Sequence, residues 1–474
     1  MRKRSAFFSK LPLWAWALAL ALLLLPLIYW QFCPDDFYIY LKFSQNLLHH
    51  GQLAFNPGER SYGFTSPLWL AVLGLCGVTP FSVLLIKMIC WLFFALTLWR
   101  FHRLLSRSFC RSVTAPAGVV LLAANPWVLR WALSGLETSA ALFAVVLAFD
   151  LFLDDHPGAC LAIGLLPLLR PEMLIWVLAY SVFSLARGRL KQALVALAPA
   201  VLWHGFCFWY FGQVFPNTAY AKSIGFSLPA ALAAVKKIAF SMPPLESLAL
   251  ALAALLLFGR RREKDRLWPA MAAAVLLLTL FVGRGVNVHT RYLVPIFPFT
   301  IYILLLLLEQ KQKLLPIVFI LALGIGSLQG IFWIYPATRN YIRSEKQVNV
   351  AIGRYLNQAM RPDETVFLWD IGAIGYYAQR HVVDLNGIVN RKTSNRRTDF
   401  RILMGRYLQR SPKRAYFVDV HFDRNNFDRR PAAGVRQRFI FSLPFHHMFI
   451  MQDKPLYYSL YELHPAGRRV PDLP

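Results

Sequence analysis

From Leu11 to Tyr335 the chain is dominated by apolar runs, many of about 20 residues, broken by short basic segments. At ~1.5 Å per residue such a run matches a hydrocarbon core of ~30 Å. Lipid offers no partner to a backbone N–H or C=O, so runs of this length must be helices that satisfy their own hydrogen bonds. The predicted fold class is therefore a polytopic α-helical membrane protein. Runs at Leu11–Trp30, Phe81–Trp99, 113–133, 136–153, 158–169, 172–186, 191–211, 244–259, 267–283, 292–308 and 314–335 predict about eleven transmembrane helices. Leu68–Val78 is about three turns long and is read as a surface-lying or half-inserted helix.

Charge orients these spans. The chain has 474 residues, 57% of them hydrophobic, and a formal net charge of +27. Its Lys and Arg fall largely in clusters between apolar runs and in the tail, which fits topogenic signals and anionic lipid surfaces and argues against nucleic acid. Arg2, Lys3 and Arg4 precede the first run, with no small-residue cleavage site before Pro34, which predicts an uncleaved first helix with its N-terminus in the cytoplasm. The clusters Arg100–Arg111, Arg187–Lys191, Arg260–Arg266 and Lys311–Lys313 then face inward, and everything beyond Tyr335 is extracytoplasmic. Five of the six cysteines lie in or beside apolar runs without metal-type spacing, so no disulfide framework is expected.

On this topology the first loop, 32–79, lies outside. It opens with two adjacent carboxylates, Asp35 and Asp36, in a segment flanked by Leu, Ala, Phe and Trp. Apolar residues from Phe37 to Leu48 recur at helical spacing and predict an amphipathic helix along the membrane surface. Asn56-Pro57-Gly58 predicts a turn, and Thr65-Ser66-Pro67 a helix cap. The same side collects Arg60, Glu137, Arg170, Glu172, Asn217, Lys222, His289 and Arg291. Most have an ordinary alternative: Asp35 and Asp36 as a solvated cap, Glu137 as a helix-dipole cap, Arg170 and Lys222 as interfacial cations, His289 and Arg291 as span anchors.

The string DD-x-x-I, then NLL, FNPGE and TSPLW, resembles the first extracytoplasmic loop of integral-membrane glycosyltransferases of the GT-C superfamily. It is most similar to the branch of the mycobacterial terminal arabinofuranosyltransferase and its uncharacterised proteobacterial relatives. SGLET at 134–138, RPE at 170–172, FPNTAYAKS at 215–223 and HTRYLVPIFP at 289–298 resemble segments of that branch in the same order. The resemblance implies transfer of a sugar from a polyprenyl-phosphate donor to an envelope glycan, lipid or protein on the outer face of the bacterial cytoplasmic membrane. It implies Asp35 or Asp36 as catalytic base, Asp35 by its place in the loop. Arg170, Lys222, Arg291 and His289 are then the expected donor-phosphate ligands, and Glu137, Glu172, Asn217 and Arg60 further substrate contacts. Whether the Asp pair also holds a divalent cation, Mg or Mn, stays open at the level of sequence.

Beyond Tyr335 the pattern becomes that of a soluble α/β domain, 336–474, with helices at Gln347–Met360 and Arg397–Gln409 and strands at Thr365–Trp369, His381–Asp384, Ala415–Val420 and Phe439–Leu443. DIGAIGYY at 370–377 lacks G-x-G-x-x-G and reads as a tight turn, although WDIGAIGYYAQRHVVDLNGIVN resembles the start of the extracytoplasmic tail of the same family. A transporter or flippase for a lipid-linked or anionic solute is the competing class, with Arg170 and Glu172 marking a path. Against it, the polar groups collect on one side of the membrane and no repeated halves are visible.

Overall fold

The computed structural model describes residues 13–77, 79, 81–222, 290–309, 312–390, 400–411, 413–422, 434–446 and 455–465. The spans expected at 244–259 and 267–283, and His289, lie outside the described residues. Among the described residues, three helices are long and apolar enough to cross a membrane by length and composition: α4 (Ser82–Ser108), α10 (Leu190–Phe211) and α13 (Leu315–Ala359). Around them stand shorter helices: α1 (Leu13–Leu24), α2 (Asp35–His50), α3 (Pro67–Cys76), α5 (Thr114–Ala123), α6 (Pro126–Ala132), α7 (Thr138–Leu153), α8 (Ala159–Leu169), α9 (Leu174–Leu185), α11 (Asn217–Lys222) and α12 (Phe297–Glu309). With these apolar helices, the chain has the make-up of a polytopic membrane protein.

Proline decides several boundaries. The run expected as one span over 113–133 is two helices, because Pro126 has no N–H to give and Asn125 Oδ1 accepts from Trp127 N (3.0 Å) and Val128 N (3.2 Å), starting α6 afresh. Arg170-Pro171-Glu172 separates α8 from α9, as the sequence indicates. The Pro67 helix begins at its proline, but the Ser66 side chain does not cap it. Ser66 Oγ donates to Leu169 O at 2.5 Å, while Tyr40 Oη accepts from the N–H groups of Thr65 and Ser66.

Burial sorts the helices. Along α7, Ala141, Val145, Val146, Ala148 and Phe149 are buried, whereas Val201, Leu202, Phe208 and Trp209 of α10 and Ile317, Ile320 and Leu321 of α13 are exposed among the described residues. Exposed aliphatic and aromatic faces are what a lipid solvent allows, so α7 belongs to the bundle interior and α10 and α13 to its periphery. At the far end of α4 and α7, Arg100 and Arg107 pair with the fully buried Asp150. Where α8 crosses α10, Gly164 brings the backbones together: a Cβ there would stand 2.6 Å from Ala196 O.

Helix α13 does not stop at Tyr335, where the composition changes. It runs 45 residues, roughly twice the ~30 Å core at ~1.5 Å per residue, through two wider turns at Gly330–Ile334 and Glu345–Val350. A turn of five residues, 360–364, joins it to a five-stranded sheet of order β2-β1-β3-β5-β4, with β1 Thr365–Leu368, β2 His381–Asp384, β3 Ala415–His421, β4 Val435–Phe445 and β5 Leu456–Pro465. β2, β1 and β3 are parallel; β5 and β4 are antiparallel additions. β5 was not among the expected strands and holds β4 against β3. Period-two alternation divides the sheet's faces. Phe367, Phe417, Tyr461 and Leu463 pack under α15 (Phe400–Arg410), while Val366, Leu368, Val418 and Leu460 join Ile352, Leu356 and Ile374 in the core that continues into the helices.

The Gly164 contact carries a prediction. Gly164→Val should force α8 from α10 and lower the apparent Tm in detergent, an overpacking cost of about 1–3 kcal/mol. Gly324→Val, where an added Cβ meets nothing within 4 Å, should not. Equal Tm values for the two variants would show that the crossing is not tight.

Candidate functional site

The two carboxylates that open α2 have different partners. Asp35 Oδ2 accepts from Gly372 N at 3.0 Å and Oδ1 from Ala373 N at 2.7 Å, the two N–H groups where α14 (Ala373–Ala378) begins. Its own N–H donates to Tyr341 Oη at 3.0 Å. Asp36 Oδ2 instead takes Arg291 Nη2 at 2.7 Å, and its side chain is 41% exposed; both residues of the pair are half-buried.

From Arg291 a line of charge runs inward. Its guanidinium lies 5.2 Å from the Tyr292 ring and 5.9 Å from that of Trp131. The opposite neighbour of Tyr292 is Arg170, 4.5 Å from the ring centre. Arg170 is buried and held by Glu137 (Nη1–Oε1, 2.8 Å) and Glu172 (Nε–Oε1, 2.6 Å). The DD, SGLET, RPE and HTRY segments therefore converge. Glu137 makes no side-chain cap to α7 despite its position; it serves Arg170. The arginine is neither snorkelling nor a bare cation, because a charge removed from water must be matched, and two carboxylates match it.

The other candidates lie elsewhere. Exposed Arg60 rests on the Tyr210 ring at 4.5 Å. Asn217 is buried and bonded locally, its N–H to Tyr62 O (2.8 Å) and its Oδ1 accepting from Gln213 Nε2 (2.7 Å). Lys222 ends α11, and its side chain is not among those described.

The loop that carries the Asp pair is covered by the tail and does not simply float on lipid. α2 buries Lys42 and Asn46 on what reads as its polar face. Lys42 Nζ donates to Gly375 O at 3.1 Å; Asn46 Nδ2 donates to Ala54 O and Phe55 O, shaping the turn that follows. Asn56 then pairs with strand β2, its Nδ2 donating to Val382 O (2.9 Å) and its Oδ1 accepting from Val382 N (3.0 Å), and Glu59 meets His381 at 2.9 Å. The asparagines of NLL and FNPGE thus hold the loop's shape and its seat on the sheet.

This seating brings acidic groups together that sequence reasoning did not connect. Asp370 accepts a hydrogen bond from Tyr458 Oη of β5. Buried Glu345 of α13 accepts from Asn349 Nδ2 at 3.1 Å. Burial first, then the Asp370 charge, push Asp35 up from 3.8 to about 7, against the opposing pull of the Ala373 and Gly372 N–H groups. Glu345 is pushed well above the usual carboxylate range by burial and by the Asp35 charge, and Asp370 is also raised, by burial first. Among the described residues no group of three or more His, Cys, Asp or Glu is arranged to hold a metal ion. What the arrangement offers is a proton acceptor whose affinity lies near neutral pH, beside a buried guanidinium network.

Among solved structures, the crystal structure of ArnT from Cupriavidus metallidurans bound to undecaprenyl phosphate superposes with a TM-score of 0.56 at 13% identity, over 96% of this chain and 98% of that one. The chain has the fold of ArnT. The likeness is one of fold and runs the whole length of both chains. The family described as a domain of unknown function, DUF8728, matches residues 339–462, the tail alone. No curated protein matches.

The raised carboxylates give a pH dependence. A carboxyl that binds its proton more tightly folded than unfolded contributes stability that is full below the unfolded value and is lost as pH rises through the folded one. For Asp35 that window runs from 3.8 to about 7, and for Asp384, raised by burial, to about 6. The apparent Tm should fall from pH 4 to pH 7, and Asp35→Asn should flatten the upper part of that fall. An identical slope in the variant would count against the desolvated Asp35.

Proposed function

We propose that this chain is a glycosyltransferase that moves a sugar from a polyprenyl-phosphate donor to an envelope glycan, lipid or protein acceptor at the outer face of the bacterial cytoplasmic membrane. The observation that carries the reading is the DD loop itself, with one Asp held at near-neutral proton affinity and the other on a buried arginine. The fold supports it, since the ArnT crystal structure of the same fold holds undecaprenyl phosphate. The motif order supports the branch of the mycobacterial arabinofuranosyltransferase within that superfamily.

In this reading Asp35 removes the proton from the acceptor hydroxyl as its oxygen attacks the anomeric carbon. The bond from that carbon to the phosphate oxygen breaks, and polyprenyl phosphate leaves with the electron pair. Each carboxylate oxygen of Asp35 keeps a lone pair beyond the one given to the backbone N–H. Arg291 is the cation best placed for the developing phosphate charge, because its Nε has no hydrogen-bond partner among the described residues and its Nη2 pairs with the partly exposed Asp36. Arg170, matched by Glu137 and Glu172, then orients Tyr292 and Arg291 more than it grips phosphate. Lys222 and His289 remain further candidates for the donor, and Arg60, Glu172 and Asn217 for the sugar or acceptor.

The test is release of undecaprenyl phosphate from a panel of undecaprenyl-phosphate pentoses and hexoses by the purified protein. Asp35→Asn should slow release by about 10² to 10⁴ while donor still binds. Arg291→Ala should weaken binding of undecaprenyl phosphate itself, and Arg170→Lys, which keeps charge but not the two-pronged fork, should lower apparent Tm as well as rate. Turnover at the parent rate in both Asp35→Asn and Asp36→Asn would bring the transporter reading forward.

A further inference from the structure

The tail is joined to the loop at the point where chemistry is proposed. Both oxygens of Asp35 are occupied by consecutive N–H groups of the tail, at 3.0 and 2.7 Å. The approach is as close as the backbone permits: a Cβ on Gly372 would lie 2.2 Å from Asp35 O and 2.4 Å from its Cγ and Oδ1. Glycine is thus required at 372 by space, with no left-handed conformation involved, since its φ is −66°.

The turn is also braced from behind. Asp370 is bonded to Tyr458 on β5, Trp369 O accepts from Asn386 Nδ2 at 2.6 Å, and Gly375 O accepts from Lys42 Nζ. Gly63 of the loop stands against Val389, and Gly375 against Phe55. Four separate contacts between loop and tail, at Asp35, Lys42, Asn56 and Glu59, fix the carboxylate relative to the sheet.

We propose that the Asp370–Ala373 turn of the tail is the positioning element of the base: Gly372 and Ala373 orient the Asp35 carboxylate, and Asp370, bonded to Tyr458 in the same turn, is a positioning residue behind them. The inference rests on the reading of Asp35 as base. The groups that face Asp35 are Asp36 from its own helix, Tyr341 and Glu345 from α13, Asp370 from the turn and Tyr458 from β5. The Asp370 charge is the second cause, after burial, of the raised Asp35 value. A tail that served only to recognise acceptor would have no reason to place a carboxylate and two N–H donors on the loop's own Asp.

The experiment uses the full-length protein in detergent, with undecaprenyl phosphate release from the panel donor that it turns over fastest, measured across pH. Asp370→Asn is nearly isosteric and leaves an oxygen for Tyr458, so it should move the acidic limb of kcat/KM to lower pH, the sign expected when a neighbouring negative charge is removed. Gly372→Ala should lower kcat by about 10²-fold with donor KM little changed, the loss expected from an ångström-scale misplacement. Asp384→Asn, another buried tail carboxyl but one bonded to the N–H groups of Asn386 and Val389, should leave the limb where it is. A parent-like limb in Asp370→Asn, or a parent-like kcat in Gly372→Ala, overturns the proposal. If the parent releases undecaprenyl phosphate from no donor, the glycosyltransferase reading fails instead. The clamp is then still tested by the Tm titration, in which Asp370→Asn should move the Asp35-dependent fall to lower pH and an unmoved fall refutes it.

Discussion

Two hydrogen bonds from the backbone at Gly372 and Ala373 to one carboxylate at Asp35 tie the beginning of this chain to its end. They impose a parity rule that does not depend on charge. Groups in contact share one face of the membrane, so the chain between them must cross it an even number of times. The span assignment from hydropathy, with one crossing before Asp35 and ten between Asp35 and the tail, obeys that rule. Positive-inside bookkeeping and a contact between residues 35 and 372 are independent arguments, and they agree on where the loop and the tail stand relative to one another.

The network leading inward from Asp36 follows from the low polarisability of its surroundings. A guanidinium at 2% exposure, as in Arg170, is tolerated where carboxylates and an aromatic face replace its hydration. The same need explains why Glu137, 33 residues before Arg170, joins Arg170 and Glu172 as one unit with Tyr292 and Arg291. A phosphate entering beside Arg291 would find the positive charge already held rigidly, which is the preorganised electrostatics that a departing phosphate requires.

Much of this was legible in the chain. The DD loop, the break at Arg170-Pro171-Glu172, the helix at Pro67 and the strands at Thr365, His381 and Ala415 follow from periodicity, proline and turn chemistry. What escaped was set by distance. Asn56 reads as a turn residue, and nothing local says that its amide completes strand β2 more than 300 residues later. DIGAIGYY reads as a tight turn because its glycine is explained only by the atom it must approach, Asp35. Asp370, two residues before that glycine, was the available signal. α2 reads as an amphipathic helix along the membrane surface, and nothing local says that its Lys42 is buried against Gly375 of a tail so remote in sequence.

The continuity of α13 gives the tail its mechanical meaning. A linker would let the sheet drift by many ångströms, and a hydrogen-bonded carboxylate would lose its donors each time it did. A helix that runs 45 residues from the bundle to within a short turn of the sheet removes that freedom. The buried face of β1, β3 and β5 packs on the last turns of this helix and on α14, in a core shared with the bundle. The DUF8728 match covers only residues 339–462, yet that segment leaves behind Asp35, Asn56 and the loop they belong to. The physical unit is therefore larger than the matched one: the Gly372 turn, and the backbone of β2 at Val382, have these partners only when the first loop is seated against the tail.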